Sequence, residues 1–117
     1  MRLVSTGEGA AAFSMIVDKK FSNPMGTVHG GIITDLADAS MGYAAMTTLE
    51  NGETFTTLEL KMNFLRPVFE GKLTSKAKVL HRGRTIALVE SVVRNSEKKV
   101  VARGLATQMV LRRGNTG

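Results

Sequence analysis

Residues 23–46, NPMGTVHGGIITDLADASMGYAAM, contain the one stretch of this chain that reads as a long helix, and the rest has to be fitted around it. The stretch opens on turn-forming residues, passes through His29-Gly30-Gly31 and then takes on a helical period. At about 100° per residue, Ile32, Tyr43, Leu36, Ser40, Ile33, Ala44, Ala37 and Met41 sweep an arc of about 180°, which Ala39 and Met46 widen. Thr34, Asp35, Asp38, Gly42 and Ala45, small or acidic, occupy the other side. A helix this apolar has to be covered on most sides. Asp35 and Asp38 are therefore expected beside a core and not on an open surface, an unusual place for Asp38 unless something uses it.

The flanking segments change period. Residues 11–19, AAFSMIVDK, carry Phe13, Met15 and Val17 at alternate positions and read as a first strand, while residues 1–10 read as a loose leader. Asn23-Pro24 and Gly26 signal a loop, and Glu50-Asn51-Gly52 stops the helix, which is expected to end near Leu49. Thr56, Leu58, Leu60, Met62 and Phe64 then alternate with Thr57, Glu59, Lys61 and Asn63, the pattern of a half-buried strand closed by Pro67 and the Glu70-Gly71 turn. Residues 72–80 alternate again, Gly83 punctuates, 85–93 form a continuous apolar run, 95–98 make a hairpin turn and 100–111 form a last long strand. The expected order is strand, long helix, then four antiparallel strands. That is an α+β domain in which one sheet curls around one helix.

At 117 residues the chain has room for one domain, and 1–117 is expected to be a single unit with 1–10 and 112–117 as loose ends. Cysteine is absent, which excludes disulfides, thiolate catalysis and cysteine metal sites. Two histidines, His29 and His81, make a poor ligand set, so neither a metal nor another cofactor is expected. No run could span a bilayer and the N-terminus lacks an apolar signal core, so a soluble, unexported, cytoplasmic protein with no membrane partner is expected. The net charge of +6 favours an anionic partner, whether nucleic acid, a membrane surface or a phosphorylated small molecule. Aromatic residues are few and show no base-stacking spacing, so nucleic acid rests on charge alone and is not expected.

His29-Gly30-Gly31 falls where loop becomes helix. Glycines there allow close approach to the backbone, and the first helical N–H groups have no intrahelical acceptors. With the positive end of the helix dipole, those donors suit an oxygen that gains negative charge during a reaction. The plainer reading is a helix start that needed flexible residues, with His29 as a capping or core histidine. Asp38 follows His29 at a distance of ~13 Å along a helix axis. One small carbonyl cannot touch the helix start and that carboxylate together, so the two make no site within one chain. If two such helices met antiparallel across a two-fold axis, one chain's N-terminus could face the other's Asp38. The alternative is that Asp38 only accepts hydrogen bonds from its neighbours.

The run Asn23-Pro24-Met25-Gly26-Thr27-Val28-His29-Gly30-Gly31, followed by Leu36-Ala37-Asp38, resembles the signature of hotdog-fold acyl-CoA thioesterases of the phenylacetate-degradation type. The stretch Thr57-Leu58-Glu59-Leu60-Lys61-Met62-Asn63-Phe64-Leu65-Arg66-Pro67 resembles that family's next strand, and His81-Arg82-Gly83-Arg84-Thr85 its loop before the penultimate strand. The resemblance covers nearly the whole chain in the expected order. It implies a hotdog fold, a curved antiparallel sheet wrapped around one long helix, and hydrolysis of a small aryl- or acyl-CoA thioester by a homodimer or a dimer of dimers.

Residue by residue, the resemblance implies that Asp38 activates a water or itself attacks the thioester carbon. Gly30 donates its backbone N–H to the thioester oxygen, Asn23 positions water or thioester, and His29 supports that arrangement. Thr57 matches a Ser/Thr position that helps to hold the water, and glycine and carboxylate come from opposite subunits. The phosphates of coenzyme A would seek basic residues, with Arg82, Gly83, Arg84 and Thr85 as the first candidates and Lys98, Lys99 and Arg103 beside them. Asp35 is a second carboxylate that the pattern does not require. Two alternatives stay open: a non-catalytic acyl-CoA sensor on the same fold, and an enoyl-CoA hydratase or dehydratase.

Overall fold

A computed structural model describes residues 1–22 and 24–112. The strands are β1 (Arg2–Gly7), β2 (Ala10–Val17), β3 (Glu53–Phe64), β4 (Gly71–Arg82), β5 (Ile86–Arg94) and β6 (Val100–Arg112), with a 3-10 turn at Lys19–Phe21 and a single α-helix, α1 (Gly30–Met46). They form one six-stranded sheet in the order β1-β2-β4-β5-β6-β3, antiparallel throughout. The alternation read from the sequence becomes one apolar sheet face. Ala11, Phe13 and Val17 of β2, Leu73 and Ala77 of β4, Val89 and Val93 of β5, and Ala102 and Ala106 of β6 pack with Ile33, Leu36, Ala37, Met41 and Ala44 of α1. The helix lies chiefly across β4, β2 and β5 and touches β6 and β3 less. This is the hotdog architecture, with the sheet as wrapper and α1 as filling. Among the described residues no helix is long and apolar enough to cross a membrane.

Helix and sheet approach closely where side chains are small. A Cβ added at Gly104 would lie 2.8 Å from both Met62 Sδ and Ser91 Oγ, and 3.2 Å from Met41 Cε. Beside this point Ser40 and Ser75 share a hydrogen bond of 2.7 Å that joins α1 to β4 inside the core. Phe13 meets Tyr43 edge to face at a ring separation of 4.9 Å.

Four expectations need correction. Residues 2–7 are not a loose leader but the edge strand β1, paired with β2. Every β1 side chain is exposed, so no alternation marks the strand in the sequence. The buried arc of α1 is turned by about 40° from the expected one, at about 100° per residue: Ala45 is buried while Tyr43 is 40% exposed. In β3 a bulge between Thr57 and Glu59 takes up Leu58 and reverses the alternation. Phe55 and Thr57 therefore share the helix-facing side with Leu60, Met62 and Phe64, and Leu58 is 54% exposed. Finally, Asp35 and Asp38 do not sit beside a core. Both are exposed, because the sheet covers one side of α1 only.

Candidate active site

The segment entering α1 is held from two sides. Val28 N–H donates to Val68 O at 2.7 Å and His29 N–H to Phe21 O at 2.8 Å, and Ser22 bridges to Val28. His29 caps the helix with φ −57° and ψ 135° and makes no side-chain capping bond; its side chain is exposed. Ile32 N–H returns to His29 O at 3.0 Å, and no acceptor among the described residues takes the N–H of Gly30 or Gly31. Those two donors and the helix dipole are what an oxyanion needs. Gly30 lines a cleft of ≈ 380 Å³ together with Thr27, Phe64, Leu65, Arg66 and Val68 among others. The Phe64 ring closes one wall so tightly that a Cβ on Gly30 would lie 3.1 Å from its Cζ. Asn23 lies outside the described residues.

Two contacts locate Asp38. Gly30 meets Phe64 at one end of β3, and a Cβ on Gly42 would lie 3.8 Å from Phe55 Cζ at the other. Helix and strand therefore run antiparallel, and Asp38, one turn before Gly42, stands on the helix flank that looks towards β3. Thr57 is the next helix-facing residue after Phe55, on the strand towards which this flank of α1 looks. Asp38 and Thr57 are both exposed. Gly30 and Asp38 are ~12 Å apart along the axis, and the chain by itself brings no second carboxylate to Gly30.

The basic loop behaves differently from its sequence reading. Arg82 Nη2 meets Glu53 Oε1 at 2.6 Å and Arg112 Nη2 meets Glu53 Oε2 at 3.0 Å. Arg82 also donates through Nε to Thr48 Oγ1 at 3.2 Å and through Nη1 to Gly83 O at 2.5 Å. Its guanidinium ties the β4–β5 turn to the end of α1. Gly83 N–H is taken by Ile86 O at 2.8 Å and is not free for phosphate. Arg84 and Thr85 are exposed in the same turn, as are Lys98 and Lys99 in the β5–β6 turn and Arg103 on β6. Among the described residues no three His, Asp or Glu side chains gather as a metal-ligand set. Phe64, Leu65 and Arg66, which form the cleft beside Gly30, were not singled out by sequence reasoning. Their signal was the large apolar pair and cation just before Pro67, where a strand has to end.

Helix start, flanking carboxylate and hotdog wrapper define a class of enzyme, the thioester hydrolases of this fold. The family model described as the thioesterase superfamily matches residues 25–102, and the chain belongs to that family. The chain is 32% identical over 101 residues to the acyl-coenzyme A thioesterase PaaI of Escherichia coli, covering 86% of this chain and 70% of that one. The structure of that PaaI, a protein of the phenylacetic acid degradation operon, superposes with a TM-score of 0.86 at 30% identity, covering 96% of this chain and 78% of the other. A thioesterase from Haemophilus influenzae superposes with a TM-score of 0.87 at 32% identity, covering 94% and 77%. A 1,4-dihydroxy-2-naphthoyl-CoA hydrolase from Listeria monocytogenes is 27% identical over 101 residues, covering 86% and 82%.

Proposed function

We propose that this protein hydrolyses the thioester of an acyl- or aryl-coenzyme A to the free acid and CoA, at a site completed by two copies of the chain. The observation that carries the reading is the start of α1, where Gly30, whose N–H has no acceptor among the described residues, lines a cleft while Asp38 stands exposed further along the same helix. The thioester oxygen accepts the Gly30 N–H, and negative charge building on it is stabilised by the helix dipole. One such donor is worth about 3–4 kcal/mol in the transition state. Asp38 takes a proton from water, or attacks the carbonyl carbon to form an acyl–aspartyl anhydride that water then hydrolyses, regenerating the carboxylate. Thr57 holds the water, the new C–O bond forms, the C–S bond breaks and the CoA thiolate takes the proton.

β3 supplies the reason for a dimer. It is a long terminal strand of the sheet with its outer backbone edge unpaired, and it displays Leu58 and Phe64, both more than half exposed. An edge of this kind invites a second copy. Antiparallel pairing of two β3 strands about a two-fold axis near Glu59 sets the Phe64 end of one chain, which carries Gly30, beside the Thr57 end of the other, which faces Asp38. Oxyanion donors and nucleophile then come from different protomers within reach of one carbonyl. The free basic residues Arg84, Lys98, Lys99 and Arg103 serve the CoA phosphates, while Arg82 holds the loop. A dimer of dimers is compatible with the same site. The names of the relatives point to small aromatic acyl groups.

The experiment is hydrolysis of phenylacetyl-, hydroxybenzoyl-, short-chain and medium-chain CoA thioesters, read as released thiol, by the wild type and Asp38→Ala. The expected result is turnover of at least one thioester and a loss in kcat of roughly two decades or more in the variant. Full activity of Asp38→Ala would remove the site; no turnover by the wild type would remove the reaction.

A further inference from the structure

Gln108 of β6 is the largest polar side chain in the core. It is 1% exposed, in the helix-facing row that also holds Ala102, Ala106 and Val110. Neither its amide nitrogen nor its amide oxygen has a hydrogen-bond partner among the described residues. Burying both ends of an amide without partners costs the desolvation of the group, and a methionine or leucine would fill the same space at no such cost. Something therefore has to use the amide. Its direct cross-strand neighbours are Ala87 on β5, which offers a methyl group, and Thr57 on β3, which offers a hydroxyl. Opposed residues in an antiparallel pair have Cβ atoms about 4.5–5.5 Å apart. The buried amide of Gln108 and the hydroxyl of Thr57 thus belong to directly opposed side chains on the helix-facing side of the sheet.

We infer that Gln108 is a positioning residue that fixes the sense of the Thr57 hydrogen bond, an inference that rests on the thioesterase reading above. A water poised to attack a carbonyl has two protons to donate and needs one lone pair free for carbon. Asp38 accepts one proton. Thr57 Oγ1 accepts the other only if its own O–H points elsewhere, and an ionised carboxylate nearby would otherwise capture that O–H. Gln108 Oε1, buried on the neighbouring strand opposite Thr57 and incapable of donating, is the acceptor that holds the O–H away from the water. Such bonds are commonly long in the free enzyme and tighten with substrate. Gln108 touches no reacting atom.

The test is Gln108→Met, which keeps the volume and removes the acceptor, in the wild-type and Thr57→Val backgrounds. The expected result is a fall in kcat of roughly tenfold with KM within about twofold, an unchanged or raised Tm, and no further fall when Thr57 is already Val. A Gln108→Met enzyme with full kcat overturns the inference, as does an equal fall in both backgrounds. Independently of turnover, the Gln108 side-chain NH2 resonance of the 15N-labelled protein should shift in Thr57→Val. An unmoved resonance overturns the contact. Wild type that hydrolyses no thioester sinks the enzymatic reading alone and leaves this resonance to decide whether Gln108 and Thr57 are joined.

Discussion

At its C-terminal end α1 is closed by a dense set of bonds, whereas at its N-terminal end the backbone donors are left open. Thr47 Oγ1 donates to Ala44 O and Thr48 Oγ1 to Ala45 O, each at 2.7 Å. Gly9 N–H donates to Thr47 Oγ1 at 2.7 Å, so β1–β2 is tied in as well. Arg82 adds Thr48 and Glu53, and Arg112 completes the carboxylate. At the other end His29 makes no side-chain capping bond, no acceptor among the described residues takes the N–H of Gly30 or Gly31, and Gly30 lines a cleft. A helix end without partners is costly unless water or a ligand takes the donors. One end of this helix therefore holds the fold together, while the other keeps backbone donors that no acceptor among the described residues takes.

The sharpest way to break that contrast is to remove a donor while leaving the helix intact. Proline at the first helical position loses only an N–H that has no intrahelical acceptor, and its ring suits helical φ. His29 already has φ −57° and ψ 135°, the conformation that a residue before proline prefers. The ring would press on the Phe64 side chain, whose Cζ lies 3.1 Å from the position of a Cβ on Gly30 and which is 51% exposed, so it has solvent to give way into. Gly30→Pro should lower kcat by about two to three decades, as expected for one lost oxyanion donor, with a Tm close to wild type. Mixing it with Asp38→Ala and allowing subunits to exchange should then restore about a quarter of wild-type activity, since half of the dimers carry one intact site. No recovery on mixing would place both residues in the same protomer's site.

The elements of this contrast were unequally legible. The helix announced itself by period, and its spacing already separated Gly30 from Asp38 by too much for one chain to unite them. The exposure of Asp38 was not legible, because periodicity says which face is apolar and not how far a sheet will reach around it. β1 carries no alternation, and the bulge at Leu58 is a single residue with no mark in the sequence. The bulge matters most: it turns Thr57 from the solvent side of β3 to the helix side. Arg82 looked like a free cation because its partner, Glu53, lies 29 residues away and only the sheet brings them together. Gln108 could have been noticed as a polar residue in the inward register of Ala102, Ala106 and Val110.

The C-terminal end has its own weak point, which is acid. The backbone N–H of Glu50 does most to hold the Glu53 carboxyl below its ordinary value of 4.5; burial opposes it, and Arg82 and Arg112 lower it further. A carboxyl depressed in the folded state contributes stability that is complete above its unfolded value and is lost as pH falls through the folded one. Wild type should therefore melt higher than Glu53→Gln at pH 7, and the gap in Tm should close as pH falls below about 4.5. Thermal unfolding from pH 7 to pH 3 reads this directly. A gap that does not narrow at all as pH falls from 7 to 3 would mean that the Glu53 contact works through shape and not through charge.

The smallest expected effect separates backbone chemistry from bulk at the open end. Gly31 is exposed, and a Cβ added there meets nothing within 4 Å. Gly31→Ala keeps the N–H and removes the conformational freedom that glycine has in the unfolded chain, a gain of about 0.5–1 kcal/mol. Urea denaturation should show a raised midpoint with an unchanged slope, and kcat should stay at the wild-type level. If activity falls instead while stability rises, the methyl group is blocking the approach of the thioester. The second glycine of the His29-Gly30-Gly31 run is then there to admit substrate, and Gly30 alone supplies the donor that matters.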